Sequence, residues 1–243
     1  MAKIRIYTDI KDIGADLTVI LEHAPSHHLQ KVLRVKSGDT IKLFNGDGFD
    51  YLAEIEAFEK NSVVVRVKSV VSNDKESVIN IHLGQGVSKG DRMDFVIQKA
   101  VELGVTEITP LITERCNVRL DKQRAEKRLQ HWQKVAISAA EQSGRSVVPT
   151  IHPQMKSTEW LGLHEGFNIL CDPKSEKKLS ELPRPGKSKI NVLIGPEGGL
   201  TDDEINFAHS QGFQGVKMGP RILRTETAAL SILTLLQGYY GDL

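Results

Sequence analysis

A change in hydrophobic pattern near residue 78 constrains the fold of this 243-residue chain more than any other feature. Upstream of it, short runs rich in alternating apolar residues predict closely spaced strands, and only residues 27–33 are typical of a helix. Two of these runs flank Asn45-Gly46-Asp47-Gly48, which predicts a tight hairpin. The predicted strands are residues 3–7, 40–44, 49–58 and 62–71. Such a series favours a small β-barrel.

Downstream of residue 78, predicted strands alternate with predicted helices. The strands are residues 78–84, 105–113, 167–171, 191–194 and 215–218, and the helices are residues 91–103, 121–142 and 228–236. This alternation indicates a parallel sheet that is covered by helices on both faces. We therefore predict an α/β chain with a small barrel at residues 1–71 and an α/β domain at residues 72–243.

Composition excludes several classes of protein. The net charge is only +1, so a nucleic-acid partner would have to contact a local basic patch. The two cysteines, Cys116 and Cys171, lie far apart, which argues against a disulfide framework and a structural zinc site. No secretory signal or membrane-length apolar run is evident. The sequence thus predicts a cytoplasmic protein without a membrane or metal partner.

The first segment that suggests chemistry is Gly195-Pro196-Glu197-Gly198-Gly199, which follows a buried strand. Thr201-x-x-Glu204 comes next and is a capping box that opens a helix. Ligands of open α/β sheets bind beyond the carboxyl ends of strands, where such turns occur. The alternative is a tight turn without a ligand. The segment matches neither a P-loop nor the dinucleotide-binding fingerprint.

A second strand–loop–helix segment runs from Met218 to Leu230 and holds Arg221, Arg224 and Glu226. Glu226 at a helix N-terminus has a purely structural interpretation, because it favours the helix dipole. Two arginines and a glutamate beside a glycine-bearing turn point instead to a polar site. The following helix is apolar nearly all round, which predicts burial inside the domain or at a subunit interface.

A third segment is basic, with Asp121 and Glu126 as its only acids between Arg115 and Lys134. A charged helix face is commonly just solvated, but this pattern is also typical of phosphate contacts, and both interpretations stay open. The pair His27-His28 has no Cys, Asp or Glu partner at ligand spacing, so no metal is expected there.

Taken together, these segments resemble the RsmE family, the 16S ribosomal RNA uridine-N3 methyltransferases of the SPOUT class. The resemblance covers almost the whole chain. The motifs that carry it are Gly195-Pro196-Glu197-Gly198-Gly199, Leu223-Arg224-Thr225-Glu226-Thr227-Ala228, Glu141-Gln142-Ser143-Gly144-Arg145, Val32-Leu33-Arg34, Gly38-Asp39 and Phe44-Asn45-Gly46.

The resemblance implies a PUA-like barrel, a SPOUT domain with a deep trefoil knot, and a homodimer in which the C-terminal helix packs against its partner. It also implies S-adenosylmethionine as the cofactor and 16S ribosomal RNA or the small ribosomal subunit as the partner. The expected cofactor-binding residues are Leu170, Ile194, Gly195, Pro196, Glu197, Gly199, Met218, Gly219, Ile222, Leu223, Thr227 and Ala228. The expected RNA-binding residues are Arg5, Arg34, Lys36, Arg115, Arg119, Arg128 and Arg145.

The implied reaction needs neither a metal nor a covalent intermediate, but the uracil N3 proton must leave. Arg224 is the candidate that would stabilise the resulting anion, and Glu226 or Glu141 would accept the proton. Methylation of another nucleotide and RNA binding without catalysis are alternatives. A pseudouridine synthase is a further alternative, but no aspartate in the chain stands in a suitable setting.

Overall fold

The computed structural model describes residues 4–88, 90–116, 122–163 and 165–243, and the chain divides into two compact units. The first unit extends to Glu76 and also includes residues 140–148, whereas the second comprises residues 77–139 and 149–243. Sequence patterns could not assign residues 140–148 to the first unit, because they continue a helix that starts in the second.

The first unit is built on a five-stranded mixed sheet with the order β1-β3-β4-β5-β2. β1 pairs with β3 in parallel and the other pairings are antiparallel. The strands are β1 (Arg5–Tyr7), β2 (Thr18–Leu21), β3 (Thr40–Phe44), β4 (Phe49–Phe58) and β5 (Val63–Ser72). Helix α1 (His23–His27) and a π-helical segment (His28–Leu33) follow β2, where the sequence predicted one helix.

Alternation in β5 defines the core of this unit. Val63, Val65 and Val67 are fully buried, as their spacing predicts. The predicted hairpin joins β3 to β4, and both of its glycines, Gly46 and Gly48, have positive φ values. β1 and β2 are the two edges of the sheet, so hydrogen bonds do not close a complete barrel in the part of the chain described.

The second unit is built on a parallel sheet with the order β12-β10-β11-β6-β7-β8, and β9 also pairs with β7. Its strands are β6 (Ile81–Gly86), β7 (Glu107–Ile112), β8 (Thr150–Ile151), β9 (Met155–Lys156), β10 (Phe167–Cys171), β11 (Ile190–Ile194) and β12 (Gln214–Val216). Every residue of β6 and β11 is buried, which is typical of a sheet covered on both faces.

Five helices begin in this unit, namely α2 (Arg92–Glu102), α3 (Lys122–Ser143), α4 (Ser157–Leu161), α5 (Asp202–Ser210) and α6 (Thr225–Tyr240). Four of them pack in pairs, α2 with α6 and α4 with α5. Gln237 fixes α6, because its side chain donates to the Leu103 carbonyl at 2.9 Å and accepts from the Ser77 hydroxyl at 2.8 Å. Leu233 and Leu236 are fully buried within the unit, so this part of the apolar helix lies in the domain core.

The predicted α/β class is confirmed, and the predicted strands and long helices fall within a few residues of the observed ones. β2, β8, β9 and α4 were not predicted, because each has five residues or fewer and so shows little periodicity. The trefoil knot stays a prediction. None of the helices in the described ranges is both long and apolar enough to cross a membrane.

Candidate active site

The loops after β10, β11 and β12 meet at the carboxyl-end edge of the parallel sheet and enclose a cleft of about 640 Å³. This volume is within the range of small-molecule sites. A smaller cavity of about 40 Å³ adjoins it and shares Cys171, Asp172, Leu223 and Ala228 with it. The walls of the cleft are largely apolar, with Leu170, Ile194, Leu200, Ile205 and Leu223 contributing.

The glycine turn after β11 is tightly constrained. The Gly199 amide donates to the Pro196 carbonyl at 2.9 Å, and Gly199 has a φ of +70°, a conformation that favours glycine. Gly86 at the end of β6 lies directly against this turn, since a Cβ atom there would come 2.4 Å from the Pro196 backbone nitrogen. The end of β6 therefore packs directly against the glycine turn, which lines the cleft.

Thr225, the first residue of α6, ties this helix to the glycine turn. Its hydroxyl donates to the Gly195 carbonyl at 2.6 Å and accepts from the buried Gln85 amide at 2.8 Å. Gln85 also donates to the Gly86 carbonyl at 3.1 Å. This chain of hydrogen bonds links β6, the glycine turn and the start of α6.

The predicted capping box at the start of α5 is present. The Glu204 amide donates to the Thr201 hydroxyl at 3.2 Å, and the Thr201 amide donates to the Glu204 carboxylate at 3.0 Å. The Glu204 carboxylate also accepts from the Ser157 hydroxyl and the Glu114 amide.

Next to Glu114, the Arg115 guanidinium donates to the carbonyls of Gly198 and Leu200, both at 3.3 Å. Arg115, which sequence suggested as an RNA contact, thus supports the glycine turn.

Six charged residues line the cleft, namely Arg92, Asp172, Lys174, Glu197, Arg224 and Glu226. Arg92 forms an ion pair with Glu197 at 2.8 Å. Arg224 is exposed, and among the described residues its side chain makes no hydrogen bond or ion pair. Glu226 follows it in the first turn of α6 and lines the same cleft. A cation and a carboxylate are thus both available to a molecule bound in the cleft.

The predicted cofactor-binding residues fall into three groups. Leu170, Ile194, Gly195, Pro196, Glu197, Gly199, Ile222, Leu223 and Ala228 line the main cleft. Met218 and Gly219 line the adjoining small cavity. Thr227 is exposed and lines neither space, because it faces away from the cleft on the first turn of α6. Their roles in cofactor binding stay predictions.

Glu141, the other predicted proton acceptor, belongs to the first unit and does not line the cleft. Its carboxylate accepts a hydrogen bond from the Tyr7 amide at 3.0 Å. Burial raises the pKa of Glu141 above its ordinary value, although this hydrogen bond opposes the shift. The structure therefore brings Arg224 and Glu226 together at one cleft and gives Glu141 a separate, structural contact.

Two of the predicted RNA-binding arginines are largely buried in the first unit. Arg5 pairs with Asp50 at 2.6 Å, and Arg145 pairs with Glu76 at 2.7 Å. The Arg5 side chain is 11% exposed and that of Arg145 only 4%, which leaves little of either for a phosphate. The guanidinium groups instead pair with the buried Asp50 and the partly buried Glu76, a role that sequence spacing could not distinguish from RNA contact.

The remaining predicted RNA contacts are more accessible. Arg34 and Lys36 are exposed on the first unit. Arg128 on α3 is half-buried, with its guanidinium 5.9 Å from the centre of the Trp132 ring. Arg119 lies outside the described residues.

Sequence reasoning missed several residues that line the cleft. They are Arg92, Pro173, Lys174, Leu200, Ile205 and Thr225. Arg92 follows β6, whose carboxyl end lies at the same edge of the sheet as those of β10 and β11, because all three strands run parallel. The rule that ligands bind beyond the carboxyl ends of strands could have singled out this arginine as well.

Comparison with known proteins agrees with this arrangement. A family model described as an RNA methyltransferase domain matches residues 75–237, and one described as an RNA methyltransferase PUA domain matches residues 26–68. The crystal structure of a ribosomal RNA small subunit methyltransferase E from Neisseria gonorrhoeae, bound to S-adenosyl methionine, is 40% identical with a TM-score of 0.93. That similarity covers 99% of both chains.

Two curated relatives bear the same name, ribosomal RNA small subunit methyltransferase E. The protein from Buchnera aphidicola subsp. Acyrthosiphon pisum is 35% identical over 98% of this chain and 94% of its own length. The Bacillus subtilis protein is 33% identical over 86% of this chain and 85% of its own length. The predicted PUA-like and methyltransferase domains are thereby confirmed, and the chain belongs to the ribosomal RNA small subunit methyltransferase E family of RNA methyltransferases.

Proposed function

We propose that this protein transfers a methyl group from S-adenosylmethionine to N3 of a uridine in 16S ribosomal RNA. The observation that carries the proposal is the cleft at the carboxyl-end edge of the sheet, with Arg224 and Glu226 at its mouth. The solved relative from Neisseria gonorrhoeae, similar over its whole length, binds S-adenosyl methionine. The cytoplasm, where ribosomal RNA is available, is the proposed location.

The cleft suits this cofactor chemically. Apolar side chains such as Leu170, Ile194 and Leu223 can cover an adenine ring and a methylene chain, while the backbone of the glycine turn can approach the ligand closely. Bound S-adenosylmethionine supplies an electrophilic methyl group on a sulfonium. The protein must then align a nucleophile with that methyl, and alignment alone can contribute roughly 7–11 kcal/mol.

The acceptor nitrogen of uracil is a poor nucleophile until its proton leaves. We assign the stabilisation of the resulting anion to Arg224, since it is exposed, lines the cleft and makes no side-chain hydrogen bond or ion pair within the described residues. Glu226 is assigned as the proton acceptor, directly or through water, because it lines the same cleft. We do not assign this role to Glu141, because it is not among the residues that line the cleft.

We also propose that the protein acts as a homodimer. α6 buries one face within its own unit, but Leu235 and Tyr239, one turn apart, remain 39% and 51% exposed. Ile222, in the loop that lines the cleft, is 86% exposed. A second copy that packs against α6 would remove these apolar side chains from water. Light scattering at micromolar concentration tests this: a monomeric wild type, or an unchanged dimer in Leu235→Asp, contradicts it.

Single-turnover methyl transfer at saturating RNA tests the assigned roles. Arg224→Ala should lower the rate by about 10²–10³ and change S-adenosylmethionine affinity little, because the cleft binds that ligand mainly through backbone and apolar groups. Arg128→Ala is the matched control, since loss of a phosphate contact should weaken RNA binding and flatten its salt dependence only. A near-normal rate in Arg224→Ala excludes its assigned role.

The position of the methyl group needs a separate experiment. Mass spectrometry of 16S ribosomal RNA from cells with and without the gene should show one N3-methyluridine that is lost with the gene. Loss of a methyl group from another nucleotide would support the alternative substrate. An unchanged RNA, together with RNA binding by the purified protein, would support the non-catalytic alternative.

A further inference from the structure

Three titratable side chains meet at the opposite edge of the parallel sheet, near the amino ends of its central strands. In the parallel ladder of β6 and β7, His82 lies directly opposite Glu107. β8 pairs with β7 in turn, and the His152 amide just after β8 donates to the Ile108 carbonyl at 2.8 Å. Strand register thus brings together residues that are 25 and 45 positions apart in sequence.

The ligand atoms of this cluster are already close to one another. The Glu107 Oε2 atom is 2.9 Å from His152 Nε2 and 3.7 Å from His82 Nδ1, and one such atom from each residue lies within 4.8 Å of the others. A tetrahedral zinc ion with bonds of ~2.0–2.2 Å holds its ligand atoms roughly 3.3–3.6 Å apart. The two Glu107 contacts would change by about half an ångström to reach that geometry, and the separation of the two imidazole nitrogens, which is within 4.8 Å, by about 1.5 Å at most.

Surrounding contacts orient the ligands. His82 is buried, and its other ring nitrogen, Nε2, lies 2.7 Å from the Thr109 hydroxyl and 3.4 Å from the Trp160 indole nitrogen, which donates to it. These two contacts fix the plane of the ring. The Lys189 ammonium binds Glu107 Oε1 at 2.6 Å and leaves Oε2 directed at the two imidazoles. Outer contacts of this kind to both histidine and carboxylate ligands are typical of metal sites.

We propose that His82, Glu107 and His152 bind a divalent transition-metal cation, with Zn²⁺ the ion that best suits two imidazoles and one carboxylate. Water would complete the coordination, since Glu107 and His152 are about one-third exposed. The ion would cross-link β6, β7 and the segment after β8.

This site is independent of the proposed methyl transfer. His82 is four residues from Gly86, which packs against the glycine turn, and four residues of strand span about 13 Å. A cation at the amino-end edge is therefore too far away to polarise a group in the cleft. Its effect would be on the stability of the second unit.

The competing explanation for this cluster is an ion-pair network in which the charge of Lys189 alone balances that of Glu107. The two explanations differ in what happens when the lysine is removed. In an ion-pair network, Lys189→Met destabilises the fold and Zn²⁺ has no effect on either protein. In a metal site, Lys189→Met keeps or strengthens the response to Zn²⁺, because a competing positive charge has been removed.

Thermal unfolding of the full-length protein, first treated with chelator and then titrated with Zn²⁺, tests the proposal. At a hundredfold excess over Kd, we expect Tm to rise by about 5–10 °C. His152→Ala and Glu107→Gln should lose this rise, and Lys189→Met should keep it. His27→Ala is the matched control, since His27 stacks with His23 on the first unit and is not part of the proposed site.

Cobalt provides a second readout that does not depend on stability. Wild type and His27→Ala should bind one Co²⁺ per chain with the strong visible absorption of a tetrahedral site, and His152→Ala should not. The proposal is overturned if Zn²⁺ leaves the wild-type Tm unchanged. It is equally overturned if His27→Ala abolishes the metal response while His152→Ala retains it.

Discussion

Thr225→Val should destabilise the second unit strongly, although the substitution changes the size of the side chain very little. Valine has nearly the shape of threonine but lacks the hydroxyl that donates to the Gly195 carbonyl and accepts from the Gln85 amide. Thr225 is 6% exposed, so water cannot readily replace the lost contacts. The substitution therefore isolates one hydrogen-bonding group at the junction of α6 and the glycine turn.

The expected cost follows from the groups left behind. The Gly195 carbonyl loses the donor at 2.6 Å, whereas the Gln85 amide keeps its bond to the Gly86 carbonyl at 3.1 Å. An unsatisfied buried polar group costs about 1–3 kcal/mol, so one full and one partial loss amount to about 2–4 kcal/mol. For a chain of this length, a loss of about 3 kcal/mol lowers Tm by about 6–12 °C.

Differential scanning calorimetry of the purified protein would measure this change, and calorimetric titration would show whether S-adenosylmethionine affinity falls with it. Thr234→Val is the matched control on the same helix, because the Thr234 hydroxyl is exposed and bonds only to the Leu230 carbonyl. Thr225→Ser keeps the hydroxyl and should recover most of the stability. Equal melting temperatures for Thr225→Val and Thr234→Val would refute the reasoning.

Three further predictions concern other parts of the chain. Gly86→Ala should abolish cofactor binding in calorimetric titration, because its Cβ would lie 2.4 Å from the Pro196 nitrogen; unchanged affinity contradicts the close packing. Leu233→Glu should lower the free energy of unfolding by several kcal/mol, since it buries an unpaired carboxylate, and chemical denaturation measures this. Burial of the Asp50 carboxyl group raises its pKa, but hydrogen bonds from Arg5, Asn73 and Lys42 outweigh this effect and lower the pKa below 3.8. The ionised Asp50 carboxylate should thus stabilise the fold above pH 4, and this stabilisation should be lost as the pH falls below that value. Asp50→Asn should lack this acid dependence. Denaturation experiments in which the wild type and Asp50→Asn lose equal stability in acid would contradict the prediction.

Most of the strands and helices could be predicted, because the spacing of apolar residues that marks each of them lies within a short stretch of sequence. The buried valines of β5 alternate strictly, and α2 places Met93, Val96 and Ala100 on one stripe that packs into the domain. Residues 140–148 could not be assigned in this way. Their sequence does not show which unit they pack with, and their place in the first unit follows from tertiary contacts such as that of Glu141 with the Tyr7 amide.

The cleft was partly predictable for a similar reason. Glycine-bearing turns after strands are visible in sequence, and they do line the cleft. The side chains that support those turns cannot be recognised in the sequence, because each one bonds to a residue that is far away along the chain. Gln85 is 140 positions from Thr225, and Arg115 is 83 positions from Gly198, yet each pair is joined by a hydrogen bond.

Arg115 shows why charge in a sequence is a weak guide to RNA contact. An arginine has five donors and no acceptor, so backbone carbonyls and carboxylates within the protein can occupy some of those donors. In this protein one Arg115 nitrogen donates to the carbonyls of Gly198 and Leu200, while Arg5 and Arg145 are largely buried and pair with Asp50 and Glu76. Arg34 and Lys36 are exposed, so they are better candidates for RNA contact than the two buried arginines.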